Sequence, residues 1–183
     1  MNHPLRLIVR LLFVFLCITT VSSAQDSLKF PVPAGNDNQL FFLQRSQNTN
    51  TVVYELNIRN GSLDTASPVH IFWIDYAEKS QREELTGIQR KYAYGLAVKY
   101  IAKDHYELRL VAKKSHVLDL MMGADQKFHV YDQINGKRAI LSRIYLQIHG
   151  GSPFSPNIQY ILLDGLDPDT GAPVEEKSPG TTH

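Results

Sequence analysis

A two-residue alternation of apolar and polar side chains constrains this chain more than any other feature. In residues 51–59, Val52, Tyr54, Leu56 and Ile58 share one parity, and Thr51, Glu55, Asn57 and Arg59 the other. Residues 106–113 repeat the pattern, with Tyr106, Leu108, Leu110 and Ala112 set against Glu107, Arg109 and Lys113. Successive side chains of a strand point to opposite faces, so half-buried strands give each set a single environment. Residues 69–76 (VHIFWIDY) are apolar at both parities and read as a central strand. Runs at 39–46, 96–102, 117–122, 127–134, 137–149 and 158–164 complete the set. The expected fold class is all-β, an antiparallel β-barrel or β-sandwich of eight or nine strands. Barrel and sandwich stay open, because strand order is not written in the sequence.

Asn60-Gly61 and Asn135-Gly136 are the strongest turn signals, since a type I′ hairpin needs positive φ at both central residues. A two-residue loop at Asn135-Gly136 sets Tyr131 opposite Ile140, Val130 opposite Leu141 and Phe128 opposite Arg143. Arg143 would then share a face with Phe128, Val130 and Leu141, which requires an opening there or a buried carboxylate partner. One segment breaks the β pattern. Ser80-Gln81-Arg82-Glu83 has capping-box spacing, and Leu85, Ile88 and Tyr92 follow on one helical face. This predicts one short helix near 80–92, inserted after the third strand. Gly87 within it costs up to ~1 kcal/mol relative to alanine, which suggests close packing against a strand.

The ends differ from this middle. Arg6 and Arg10 precede a short apolar run, residues 11–18, and Ser22 and Ala24 suit the −3 and −1 positions of a signal peptidase site. Residues 1–24 therefore read as a cleavable signal peptide, and the mature chain as periplasmic or secreted, of bacterial type. The apolar run is shorter than the roughly 20 residues of a membrane-spanning helix, so no transmembrane segment is expected in the mature chain. A lipoprotein cleavage before Cys17 is disfavoured by Leu16 and by the apolar run continuing past it. Residues 25–38 read as an extended lead-in, 39–166 as the β domain, and 167–183 as a flexible tail rich in proline, glycine and charge.

Without Cys17, the chain's one cysteine, disulfides, thiolate metal sites and cysteine nucleophiles are excluded together. Loss of Arg6 and Arg10 leaves a net charge near −1, which provides no long-range attraction to nucleic acid. No nucleotide, lipase or metalloprotease motif occurs, and no cofactor is implied. Asp169-Thr170-Gly171 resembles the aspartic-protease signature, but it stands in a polar tail without a second copy. Asp164, Asp167 and Asp169 misplace the glycine and the glutamate of a calcium loop. The histidines His70, His105, His116, His129, His149 and His183 show no metal spacing, so no metal is expected.

The densest unusual chemistry is Gln89-Arg90-Lys91-Tyr92-Ala93-Tyr94-Gly95, with Trp73-Ile74-Asp75-Tyr76-Ala77-Glu78 before it. Trp73, Asp75, Tyr76, Glu78, Arg90, Tyr92 and Tyr94, with Arg143, are the candidate ligand-binding residues, fit for a polar or anionic small molecule. The bland alternative is a helix-docking network in which Arg90 pairs with Asp75 or Glu78. The stretches at 41–46, 48–55, 68–74 and above all Gln89-Arg90-x-x-Ala93-Tyr94-Gly95 resemble an uncharacterised family of secreted bacterial domains of unknown function, over about residues 38–176. That resemblance implies an exported domain and transfers no activity. The favoured expectation is a non-enzymatic module binding a small molecule or an envelope partner. A hydrolase or lyase around Asp75, Glu78, Arg90, Tyr92 and Tyr94 is the first alternative. A structural or assembly subunit using an exposed strand edge is the second.

Overall fold

A computed structural model describes residues 30–76, 78–152 and 155–180; the expected signal peptide, with Cys17, lies outside the described residues. The strands are β1 (Gln39–Arg45), β2 (Asn48–Leu56), β3 (Ile58–Arg59), β4 (Ser62–Leu63), β5 (Val69–Asp75) and β6 (Gln81–Glu84). After a short helical segment come β7 (Leu96–Ala102), β8 (His105–Leu110), β9 (Leu118–Met122), β10 (Phe128–Ile134), β11 (Lys137–Ser152), β12 (Ser155–Leu166) and β13 (Pro173–Pro179). All nine runs with strand character in the sequence are strands. Both Asn-Gly pairs turn with positive φ, 51° and 77° at Asn60-Gly61 and 52° and 71° at Asn135-Gly136.

The main sheet runs β6-β5-β2-β1-β11-β10-β9-β8-β7, and β12 and β13 extend it from β11; β3 and β4 form a separate hairpin. Strand β11 joins the two halves. Its residues 137–140 pair with β10 and its residues 143–146 with β1, while β12 runs beside it. The sheet curls, so that Phe41, Val52, Tyr54, Ile71 and Trp73 from one half meet Leu108, Leu118, Leu120 and Val130 from the other in one core. The opposite face of β1, β2 and β5 is apolar too, with Phe42, Val53 and Phe72 buried. Gln44 on that face donates to the Pro31 carbonyl (2.8 Å) and to Thr51 Oγ1 (3.1 Å), tying the lead-in down.

Four expectations are corrected. The sheet is mixed, because β1 and β11 run parallel; this pair is far apart in sequence and has no local signal. The helix does not start at Ser80. Lys79 and Ser80 both have φ of 60°, which closes a β5–β6 hairpin, and residues 81–84 are strand. The capping box that forms is Thr86 with Gln89: Thr86 Oγ1 accepts from Gln89 N–H (3.3 Å), and Gln89 Oε1 accepts from Thr86 N–H (2.8 Å). It starts α1 (Gly87–Gln89), which passes into a π-helical turn, Arg90–Tyr94. The tail is not loose throughout, since β13 pairs with β12 over Pro173–Pro179; prolines at both ends suit an edge strand. Finally, β10–β11 pairing begins as expected, with Tyr131 opposite Ile140, but β11 shifts register against β12 between Leu141 and Arg143, and Arg143 comes to lie beside Phe42 of β1. There it pairs with Asp164 at 2.6 Å, both side chains half-buried.

Candidate functional site

Strand alternation on β5 puts Trp73 on the core face, at the margin where the β1–β2 turn and the π-helical turn meet. Arg45, the last residue of β1, lies beside it, with its Cζ 5.0 Å from the Trp73 ring centre and 5.3 Å from that of Tyr94. The two rings meet edge to face, 4.9 Å apart at 75°. A guanidinium against two aromatic rings is held by their negative faces, typically by about 0.5–2 kcal/mol as it loses water.

Each member is held from outside the site. Beyond Arg45, Ser46 prolongs the parallel ladder: its Oγ donates to the Ile148 carbonyl (3.1 Å) and accepts from Ile148 N–H (2.9 Å). Tyr94 is held by its main chain, whose carbonyl accepts from the buried Tyr54 hydroxyl at 2.9 Å. The π-helical turn requires Gly95, because a Cβ there would overlap the Arg90 carbonyl oxygen. This accounts for the Gln89–Gly95 stretch: Gln89 caps the start, Arg90 and Gly95 touch across the turn, and Tyr94 is delivered to Arg45. Single π-helical turns often occur at functional sites.

The hydrogen bonding of this corner is incomplete. Arg45 Nη1 donates to the Tyr94 hydroxyl, and Nη2 reaches Asn48 Oδ1 at 3.5 Å. Among the described residues, the buried Arg45 Nε and Trp73 Nε1 have no acceptor and no carboxylate forms an ion pair with Arg45. Burial pushes the Tyr94 phenol up, against the opposing pull of Arg45, so it stays protonated near neutral pH. A buried N–H without an acceptor costs about 1–3 kcal/mol, so two of them at one corner favour an acceptor-rich guest.

The sequence candidates divide. Trp73 and Tyr94 come together. Asp75 lies at the end of β5, where its carboxylate accepts from the Glu78 backbone N–H at 3.3 Å, and Tyr76 is half-buried with its phenol pushed up by burial. The side chain of Arg90 is drawn to Glu84 (3.6 Å), away from the expected pairing with Asp75 or Glu78. Tyr92 is exposed beneath the Lys91 ammonium, 5.0 Å from the ring centre. Arg143 belongs to the Asp164 pair. Sequence reasoning missed Arg45 and Asn48; the signal within reach was an arginine closing a strand whose centre, Leu40–Leu43, is apolar on both faces.

Across the sheet, Glu55, His70, Arg82 and Glu84 form a closed network. His70 lies between Glu55 (Nδ1–Oε1 3.1 Å) and Glu84 (Nε2–Oε1 2.8 Å), and Arg82 donates to Glu55 while covering the Phe72 ring at 3.5 Å. Burial raises the Glu55 carboxyl, but hydrogen bonds from Arg82, His70 and Asn36 more than offset this and hold it below the usual range. Among the described residues no group of three metal-ligating side chains is arranged so that it could hold a metal ion.

Residues 41–177 match the family described as Domain of unknown function (DUF4833). Nearly the whole β domain is covered, with Arg45, Trp73 and Tyr94 inside the match. No curated protein and no solved structure matches the chain.

Proposed function

The chain belongs to this family of unknown function, and from the geometry of its own residues we propose a non-enzymatic binding module that takes an anionic, acceptor-rich group at the Arg45–Trp73–Tyr94 corner. The observation that carries the reading is the pair of buried donors without acceptors among the described residues, Arg45 Nε and Trp73 Nε1. A carboxylate or phosphate oxygen supplies what both lack, and the fixed guanidinium fork suits such groups. We read the curled sheet as a sandwich, its halves joined through β11, with this corner at its margin. The signal-peptide pattern of residues 1–24 supports placing the work in the periplasm or outside the cell, with a mature terminus at Gln25.

Trp73 is the chain's single tryptophan, so its fluorescence reports on the site alone. Titration of the wild-type protein with acetate, succinate and inorganic phosphate should give a saturable change with at least one of them. Arg45→Gln should weaken that response at least tenfold while the circular dichroism spectrum stays unchanged. A flat response to all three anions, or an undiminished one in Arg45→Gln, overturns the reading.

A further inference from the structure

Five of the nine exposed large apolar side chains among the described residues fall in one segment, while Val32, Ile58, Val117 and Leu166 lie apart from one another elsewhere. Ile88, Tyr92, Val98, Tyr100 and Ile101, between 39% and 62% exposed, all fall in α1, the π-helical turn and β7. Among the described residues, strand β7 ends the sheet and pairs only with β8, so its other edge keeps an unpaired ladder of N–H and C=O groups. Native proteins usually blunt such edges with charge or proline. The other two ends follow that rule: β6 reads Gln-Arg-Glu-Glu, and β13 has a proline at each end. Strand β7, Leu-Ala-Val-Lys-Tyr-Ile-Ala, is exposed along nearly its whole length and has one charge.

The segment that forms this edge carries charge of one sign. Residues 85–103 contain no aspartate or glutamate, in a chain with 18 of them, and they carry Arg90, Lys91, Lys99 and Lys103. The only ion pair of these four among the described residues is Arg90–Glu84, at 3.6 Å between exposed side chains, a contact of small worth. Lys99 stands opposite Glu107 on β8, but Glu107 accepts from Arg109 at 2.7 Å. A second copy of the chain would bring four cations against four, which disfavours self-pairing.

We propose that the β7 edge is a docking site for an extended acidic strand of a partner protein, added to the sheet by main-chain hydrogen bonds. Val98, Tyr100 and Ile101 then meet apolar side chains of the incoming strand, and the four cations meet its carboxylates. This rests on β7 and its surroundings and is independent of the reading at Arg45.

The test uses the full mature chain and a fluorescein-labelled eight-residue peptide of alternating glutamate and valine. Its anisotropy should rise to saturation, at least tenfold more tightly than for a lysine–valine peptide, and hydrogen exchange should slow at the amides of residues 96–102. The double variant Lys99→Glu, Tyr100→Glu, changed only at exposed positions, should lose at least tenfold in affinity with an unchanged circular dichroism spectrum. Absence of binding, equal binding of both peptides, an undiminished double variant, or protection elsewhere overturns the proposal. So does finding that the patch adsorbs to phosphatidylglycerol vesicles or pairs two copies while the acidic peptide stays free.

Discussion

Phe72 and Trp73 are neighbours on β5, and each carries an arginine on its own side of the sheet. Arg82 covers Phe72 and donates to Glu55, which also meets His70 and Asn36, so every charge there has a partner. Arg45 lies against Trp73 and Tyr94, and among the described residues it has no carboxylate partner, while two buried N–H groups lack acceptors. The same residue type in the same stacking role does two jobs. A guanidinium closed by a carboxylate is a fastening, and its removal costs folding energy. A guanidinium held by rings and neutral acceptors, with its Nε unused, keeps hydrogen-bonding capacity for something else.

The comparison can be broken most forcefully from the inner side. Gly95→Ala should cost about 3 kcal/mol or more, since the new methyl group overlaps the Arg90 carbonyl and the π-helical turn must rearrange. Urea unfolding measures this, and Trp73 emission should shift as Tyr94 withdraws; a variant as stable as the wild type would show that the turn does not depend on glycine. Next comes the outer side. Glu55→Gln should cost about 1–3 kcal/mol, because Arg82 and His70 lose their charged acceptor, while the Trp73 anion titration stays unchanged. The carboxyl of Glu55 is held below its ordinary 4.5, so its contribution is present above that pH and is lost as pH falls through its lower folded value. Acid unfolding curves should therefore show a shallower decline in Glu55→Gln than in the wild type. The smallest effect belongs to Arg143→Gln. Its pair with Asp164 is half-buried on both sides, and thermal melts should register less than about 1 kcal/mol. A larger loss would place Arg143 with Arg82 among the fastenings.

The strands were legible because alternation is local. Residues 52–56 and 106–110 carry their core face in their own order, whereas Ile58, of the same parity, falls in the separate β3–β4 hairpin and is exposed; the two Asn-Gly turns state their φ requirement in two letters. The helix was misplaced because Ser80-x-x-Glu83 and Thr86-x-x-Gln89 both satisfy the capping pattern, and only the positive φ at Lys79 and Ser80 separates them. Arg143 lies beside Phe42 where β11 shifts register against β12, which no side-chain pattern announces. The candidate site was half legible: Trp73 and Tyr94 stood out as aromatic residues near charge. Arg45 reaches Tyr94 across 49 positions of sequence, through pairings of β1 with β2 and β2 with β5 that periodicity does not specify.

Strand β11 also dictates when the protein can become itself during synthesis. The edge of β1 waits for residues 143–146, roughly a hundred positions later, so the first half of the chain must remain an unfinished template while the second is made. Loop closure over that distance is slow compared with hairpin formation. Newborn chains therefore pass through a long interval with a sticky apolar border on display, and any chaperone that serves this protein has its moment of greatest use before residue 146 emerges.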